Sequence, residues 1–302
     1  MSLDKCEPCD FHIIVVDNGS TDGSVHMLVE LFPNVERILL SENTGFAPAV
    51  NRGLEKAKTP YALLLNNDIL VEPDFVQKME NAIEEHENCF SVSAKMLQMH
   101  EPELLDGAGD LYCALGWAFA LGKGKTASDH YTKPAKIFSS CGGAVIYRMD
   151  ILNEIGYFDE NHFAYLEDVD LGYRARIHGY DNRYEPAAVV YHAGSGFSGS
   201  RYNEFKTKLA SRNSIYIILK NMPFVQILIN LPLLLLGFLT KIAFFGLKGH
   251  GNTYCKGLLN GFKLYFSDEG KKHKIPFKVC NLLNYVKIEI ELLWNIVRRI
   301  IG

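Results

Sequence analysis

Acidic residues are scarce in the last third of the chain. Residues 201–302 carry 5 Asp+Glu against 16 Lys+Arg, whereas the first 200 carry 30 against 15. A net charge of −4 therefore hides a front balance of −15 and a tail balance of +11. The acidic front argues against nucleic acid as its main partner, while a basic, apolar tail is what an anionic membrane surface attracts. Paired cysteine spacing is also lacking. The seven cysteines are odd in number and scattered, which suits a reducing compartment. Cys6 and Cys9 make one C-x-x-C, but no second pair or histidine cluster follows at the spacing a structural zinc needs. The opening MSLDKCEPCD lacks the charged-then-apolar pattern of a secretory leader. No glycine-rich basic phosphate loop stands near the amino terminus, which disfavours nucleotidyl transfer. With 48% hydrophobic and 22% charged residues over 302, the chain can bury one large domain or two smaller ones.

What is present is a series of strands that end on polar residues. Tyr61–Asp74, YALLLNNDILVEPD, reads as a buried strand over Tyr61–Leu70 that runs onto Asn66-Asn67-Asp68, followed by a helix over Pro73–His86 with proline in its first turn. A carboxylate at the carboxyl end of a core strand stands where open α/β sheets bind ligands. His12–Asp17, HIIVVD, is a second such strand, ending on the turn Asp17–Ser24, in which Thr21 or Asp22 reads as a helix N-cap. That turn is not a calcium loop, because Gly19 and Thr21 occupy positions that require oxygen-rich side chains. Arg37–Leu40 is a short strand. Asn43–Gly53 is rich in small residues and opens a helix to about Lys58, where the backbone either approaches a ligand or packs closely on a sheet. This alternation predicts a parallel sheet with helices on both faces.

After Ser91 the pattern loosens. Leu104–Gly124, with Trp117, reads as irregular strands lining a pocket. Gly142 and Gly143 sit inside a strand pattern over Ile137–Arg148 and mark a bulge, a close ligand approach or loose packing. Glu167, Asp168 and Asp170 crowd one helical turn, with Gly179 as its C-terminal cap. The helix dipole explains three acids there. So does a general base, since crowded carboxylates raise one another's pKa. His192 ends the β-rich run Val189–His192 ahead of a glycine-rich loop over 193–200, either as a metal ligand or as a hydrogen-bonded core residue.

VVDNGSTDGS, NTGFAPAVNRG, LLLNNDILVEPDF, GYFDENHFAYLEDVDLGYRARIHGY and HAGSG occur in this order. Together, over roughly residues 12–220, they resemble the family-2 glycosyltransferases, most closely the rhamnosyltransferase-like branch. The resemblance implies a GT-A fold, a dTDP-, UDP- or GDP-linked sugar donor, a divalent cation (Mg2+ or Mn2+) and inversion at the anomeric carbon. It implies that Asp17 holds the nucleotide base, with Gly45, Asn51 and Asn67 beside the donor. Asp68 is then the carboxylate of the metal motif, in which asparagine replaces a second aspartate, and His192 meets the metal or the diphosphate. Asp168 becomes the base, supported by Glu167 or Asp170, while Gly142, Gly143 and Trp117 lie on the acceptor side. The family opens with a further strand and helix, reading like V-x-I-V-T-Y-N, and only eleven residues precede His12 here. A sheet without that strand would expose an edge able to pair with a second copy.

The resemblance divides the chain into a glycosyltransferase domain over 1–220 and a helical extension over 221–302. Phe224–Leu247 is almost wholly apolar, and its uncharged part is at the short end of what spans a bilayer. Ile275–Ile301 mixes apolar and basic residues as interfacial helices do. Interfacial contact, core or oligomer packing and a spanning helix all compete for this tail. The expected product is an enzyme of cell-surface polysaccharide synthesis, cytoplasmic at the inner face of the membrane, acting on a saccharide or lipid-linked acceptor. The rival reading is a non-catalytic, degenerate or truncated transferase that serves as a binding module.

Overall fold

Ile14–Asn18 (β1) pairs in parallel with Glu36–Leu40 (β2) across the helix α1 (Ser24–Leu31), as the first strand–helix–strand alternation predicts. The computed structural model describes residues 2–6, 10–194 and 203–301. Cys9 of the C-x-x-C and the glycine-rich stretch 195–200 lie outside the described residues. Helix α1 is not capped by Thr21 or Asp22. Gly23 occupies the cap at φ +87°, and Asp22 accepts from the Ser24 N–H and hydroxyl instead.

Helix α2 (Phe46–Leu54) leads into β3 (Tyr61–Leu65), and β4 (Ile69–Val71) follows after a break. The expected single strand over Tyr61–Leu70 is thus two strands, interrupted by the asparagines and aspartate. Helix α3 (Phe75–Glu84) is shorter than the expected Pro73–His86. Next comes β5 (Cys89–Gln98), ten residues long and buried almost throughout. Phe90, Val92, Ala94 and Met96 alternate with Ser91, Ser93 and Lys95, a period of two that marks a strand where the reading beyond Ser91 expects only a loosened pattern. The short strands β6 (Leu105–Gly107), β7 (Asp110–Cys113), β8 (Trp117–Ala120) and β9 (Ala135–Ile137) follow, as the irregular region suggests. Then come β10 (Ala144–Arg148), α4 (Met149–Ile155), α5 (Glu167–Ile177) and β11 (Asp181–His192). Gly142 and Gly143 lie in the turn before β10, not within the strand.

The main sheet has the order β3-β10-β5-β11-β4, with β6 added to β5 and β9 to β11. It is mixed. Parallel pairing is confined to β5–β11 here and to β1–β2, and the remaining pairs are antiparallel. Strand β11 shifts register between Glu185 and Val189, where Pro186 cannot donate to the ladder.

The helices α6 (Glu204–Asn221), α7 (Phe224–Leu247), α8 (Gly251–Phe266), α9 (Asp268–Lys272) and α10 (Leu282–Ile301) complete the chain. Helices α6 and α8 meet closely because Gly257 and Gly261 leave room for Ser211 and the Arg212 carbonyl. Leu234 of α7 and Tyr285, Ile288 and Leu292 of α10 share one buried cluster with Leu111, Tyr112, Phe138 and Tyr173. Helices after residue 221 therefore supply part of the core beside β7 and α5.

Candidate active site

Strand register brings the first pair of site residues together. His192 stands opposite Ile69 in the antiparallel β11–β4 ladder, one residue from Asp68. The His192 Nε2 is 3.3 Å from the Asp68 Oδ2, while its Nδ1 meets the Asp106 Oδ2 at 2.8 Å. Lys123 closes the chain with an ion pair of 2.6 Å to the Asp106 Oδ1. Donating a hydrogen bond to Asp106 raises the His192 pKa despite partial burial. Burial pushes the Asp106 carboxyl up, but the His192 and Lys123 contacts overcome it and bring it down to about 2. The Asp68 Oδ1 is buried with no hydrogen-bond partner.

The second group forms where α5 begins. Asp168, Asp110 of β7 and the Cys141 thiol offer atoms within 4.8 Å of one another. Asp168 accepts from the Val169 N–H at 2.7 Å, and the Gly142 N–H lies near enough to favour its ionised form. Burial raises the Asp168 pKa against those two donors. Glu167 is pushed up to about 8, first by burial and then by the charge of Asp168, and its Oε2 has no partner. Asp110 is likewise pushed up to about 8, by burial and then by Asp168. Carboxylates crowded this closely cannot all ionise near neutrality, so they share protons as a set. The Asn66 N–H donates to the Gly143 carbonyl at 2.9 Å, which ties the Asp68 turn to the glycine turn that holds Asp168.

The loop ahead of α5 is held in an unusual backbone conformation. Phe163, Tyr165 and Leu166 have φ of 62°, 69° and 70°, each costing about 1–2 kcal/mol for a residue other than glycine. Asn213 of α6 secures them, its Nδ2 donating to the carbonyls of His162, Ala164 and Tyr165 at 3.0, 3.0 and 2.6 Å. Arg212 donates to the Asn161 and His162 carbonyls at 2.7 Å each. From the other side, the Phe46 N–H donates to the Phe163 carbonyl at 2.6 Å. Gly45, at φ +99°, leaves room for Phe163, whose carbonyl would lie 2.7 Å from an added Cβ.

Other sequence-predicted residues are used differently. Asp170 points away from Asp168 and is buried between Lys220 and Arg174, at 2.8 and 3.1 Å, with Asn221 at 2.8 Å. Despite burial, those cations hold its carboxyl far below the usual range, so it is a structural anion and not part of the base. Asn51 is buried with its amide fully used: it donates to the Phe158 carbonyl and Glu160, and accepts from the Phe158 N–H. It shapes the loop before α5 and has no free group for a donor sugar. Trp117 donates from its Nε1 to the Gly237 carbonyl of α7 at 3.2 Å and lies under the Lys241 ammonium, so it belongs to the packing of α7. Asp17 is nearly buried at the end of β1 and accepts from the Ser20 N–H at 3.0 Å. Its neighbour Asn18 ties down the 43–45 segment through Asn43, Thr44 and Gly45. Asn67 is exposed in the turn beside Asp68.

No sequence motif marks Asp106, Asp110, Lys123 or Cys141 as site residues. The one signal for the first two is the DGAGD run, where acids flank glycines, in a region with no periodicity to place them on a face. Two surface clefts lie elsewhere, one of about 490 Å³ around Tyr61, Glu84, Arg148 and Tyr180, and one of about 510 Å³ around Thr44, Pro48, Arg52 and Glu160. Convergence of carboxylates marks the candidate site.

Three arrangements among the described residues offer metal-ligand atoms. Asp159, His162 and Asp170 already surround a cation, the Lys220 ammonium, at 2.8 Å from each aspartate. Asp110, Cys141 and Asp168 include a thiol that burial keeps protonated, a poor ligand for a hard cation. Asp68 and His192 fit best. The unpartnered Asp68 Oδ1 is a hard oxygen donor, and Asp106 backs the His192 Nδ1 as carboxylates back metal-bound histidines.

Residues 2–156 match the glycosyl transferase family 2 profile. An N-acetylglucosaminyl-diphospho-decaprenol L-rhamnosyltransferase of Mycobacterium tuberculosis is 26% identical over 211 residues, covering 60% of this chain and 66% of that protein. A poly-beta-1,6-N-acetyl-D-glucosamine synthase of Staphylococcus aureus is 23% identical over 181 residues, covering 59% of this chain and 42% of that one. The chain thus spans two-thirds or less of the length of these relatives. Among solved structures, GalNAc-T7 with UDP, GalNAc and Mn2+ superposes with a TM-score of 0.56 at 15% identity, covering 72% of this chain and 43% of its own. A mannosyltransferase from Pyrobaculum calidifontis in complex with GDP-Man and Mn2+ gives 0.50 at 15% identity, covering 97% and 81%. These likenesses establish the GT-A fold.

Proposed function

The chain belongs to glycosyl transferase family 2, and on that footing we propose that it is a rhamnosyltransferase-like enzyme that transfers a sugar from a nucleotide-diphosphate donor with inversion at the anomeric carbon. The observation that carries the reading is the start of α5, where Asp168 is anchored by the Val169 N–H and converges with Asp110, beside Glu167, so that three carboxyls of raised pKa stand together. An acceptor hydroxyl attacks the anomeric carbon, the bond to the diphosphate oxygen breaks, and the hydroxyl proton passes to Asp168. A single base suffices for this displacement, with no covalent nucleophile. Burial raises the pKa of that base and favours proton uptake nearer neutral pH, while Glu167 and Asp110 beside it hold their own protons near neutrality.

Asp68 and His192 would hold a divalent cation, Mg2+ or Mn2+, which when bound would stabilise the charge of the leaving diphosphate. With one protein carboxylate in that set, donor phosphates are needed to complete it. Asp17 contacts the nucleotide base, Gly45 and Asn67 border the donor, and Gly142 and Gly143 border the acceptor. Both curated relatives are named for making or extending N-acetylglucosamine-containing products, which supports a role in cell-surface polysaccharide synthesis. A cytoplasmic location and a saccharide or lipid-linked acceptor follow from that role. The donor sugar we favour is rhamnose or another hexose.

Calorimetric titration with UDP, dTDP and GDP, each with and without Mn2+, tests the reading. Binding of one nucleotide that requires the metal, and is lost in Asp68→Ala, is expected. Absence of binding by all three, in folded protein, would overturn it.

A further inference from the structure

We propose that α7, α8 and α10 form a single face that docks in the plane of an anionic phospholipid bilayer. This inference is independent of the transfer chemistry. Each of the three helices buries one side against the protein and exposes apolar side chains on the opposite one. In α10, Tyr285, Ile288, Leu292 and Asn295 are buried at spacings of three and four residues, while Leu283, Val286, Ile290, Leu293 and Val297 form an exposed stripe on the other side. In α7 the buried side is Gln226, Asn230, Leu234 and Gly237, and Leu228, Leu231, Leu235 and Leu239 are exposed opposite. Helix α8 buries Tyr254, Gly257 and Gly261 and exposes Leu259, Phe262 and Phe266. A single exposed leucine is ordinary, but three neighbouring helices with matched outer stripes make a patch that asks for a partner.

The helices are contiguous. Phe245 of α7 stacks on Tyr254 of α8 with ring centroids 4.8 Å apart, and Gln226 and Asn230 of α7 donate to Glu289 of α10 at 2.9 and 2.8 Å. Charge selects the occupant. Lys248, Lys256, Lys263, Lys278 and Lys287 are all exposed around these helices. The acids nearby are engaged: Glu291 pairs with Arg176, Asp268 with Lys271 and Glu269 with Lys272. An apolar stripe with a lysine rim matches an anionic headgroup layer over acyl chains.

Packing of α7 argues for an in-plane arrangement. It is 24 residues long and apolar enough to cross a bilayer by composition alone. Yet its inner side is fixed to the protein body at both levels: Gln226 and Asn230 to Glu289, and Gly237 beneath the Leu115 carbonyl with Trp117 donating to it. A spanning α7 would have to leave those contacts behind.

Co-sedimentation of the full chain with vesicles of phosphatidylglycerol and phosphatidylcholine, against phosphatidylcholine alone, tests the proposal. Binding to the anionic vesicles, weakened by salt and released by alkaline carbonate, is expected. Trp294 is 57% exposed on the outer side of α10, so its emission should shift to the blue on binding, and Trp294→Phe should abolish the shift. The double variant Leu236→Glu, Ile290→Glu changes only exposed positions. It should melt like the parent and bind about tenfold more weakly or worse. No binding to anionic vesicles, retention after carbonate, or a lipid-free dimer that the double variant dissociates would each overturn the proposal.

Discussion

Two residues along an α-helix is a turn of about 200°, and that rotation separates Asp168 from Asp170. The first faces Gly142 and Asp110, the second Lys220 and Arg174. Their removal should therefore fail in different ways. Asp168→Asn keeps the shape of the side chain and loses its basicity, so kcat is expected to fall about 10²–10⁴-fold with donor KM little changed. Steady-state kinetics on a folded variant check this. Asp170→Ala leaves Arg174 without its anion and Lys220 with Asp159 alone, both buried, and is expected to cost about 3–5 kcal/mol in denaturant unfolding. The carboxyls of raised pKa add a pH signature. Glu167 and Asp110 stand at about 8 in the folded chain against about 4 in an unfolded one. The folded state thus binds more protons between about pH 4 and 8, and stability falls as pH rises through that window. Asp110→Asn removes one such group. Its thermal midpoint should match the parent near pH 4 and exceed it near pH 8, a comparison that calorimetry across that range makes directly.

At the scale of elements, legibility followed exposure to a pattern. Asp68 and His192 were readable because each ends an apolar run, and a residue at a strand terminus is placed by the strand itself. Asp106 and Asp110 were not, because strands of three and four residues repeat too little to reveal which side faces in. Asn51 shows a further limit. A polar residue among small ones suggests ligand contact, but its amide spans from α2 to the Phe158 backbone, over a hundred positions away. Sequence order cannot display such a pairing. The strained loop before α5 is held from two elements at once, by Asn213 on α6 and by the start of α2. Asn213→Ala should take this donor from the Ala164 and Tyr165 carbonyls, while Arg212 still serves His162, and let the loop relax. The expected result is a loss of about 1–3 kcal/mol in stability, from the stranded buried carbonyls, and a drop in kcat larger than any change in KM. A kcat unchanged beside lowered stability would show that the loop's conformation is not needed for the base.

At the scale of the whole molecule, the composition suggests a boundary near residue 220 and the packing argues against cutting there. The charge reversal and the apolar run of α7 are surface properties, set by what these helices show to their surroundings. Their inner sides follow a different logic. Tyr285, Ile288 and Leu292 of α10 lie in one cluster with Phe138, Tyr173 and Tyr112, and Asn295 donates to the Tyr112 carbonyl at 2.9 Å. Lys220, just short of the boundary, neutralises Asp159 and Asp170 beneath the α5 loop. We propose that residues 203–301 fold as one cooperative unit with the sheet. Each of the three buried α10 side chains contributes about 1.5–3 kcal/mol by removal from water, so their joint loss is comparable to the roughly 5–15 kcal/mol by which domains are stable. A chain ending at residue 281 is therefore expected to lose its sharp thermal transition and expose the face of β7. Calorimetry and binding of a hydrophobic dye measure both. A truncated chain that melted cooperatively near the parent's midpoint would restore the two-part division and make the helical tail an appendage.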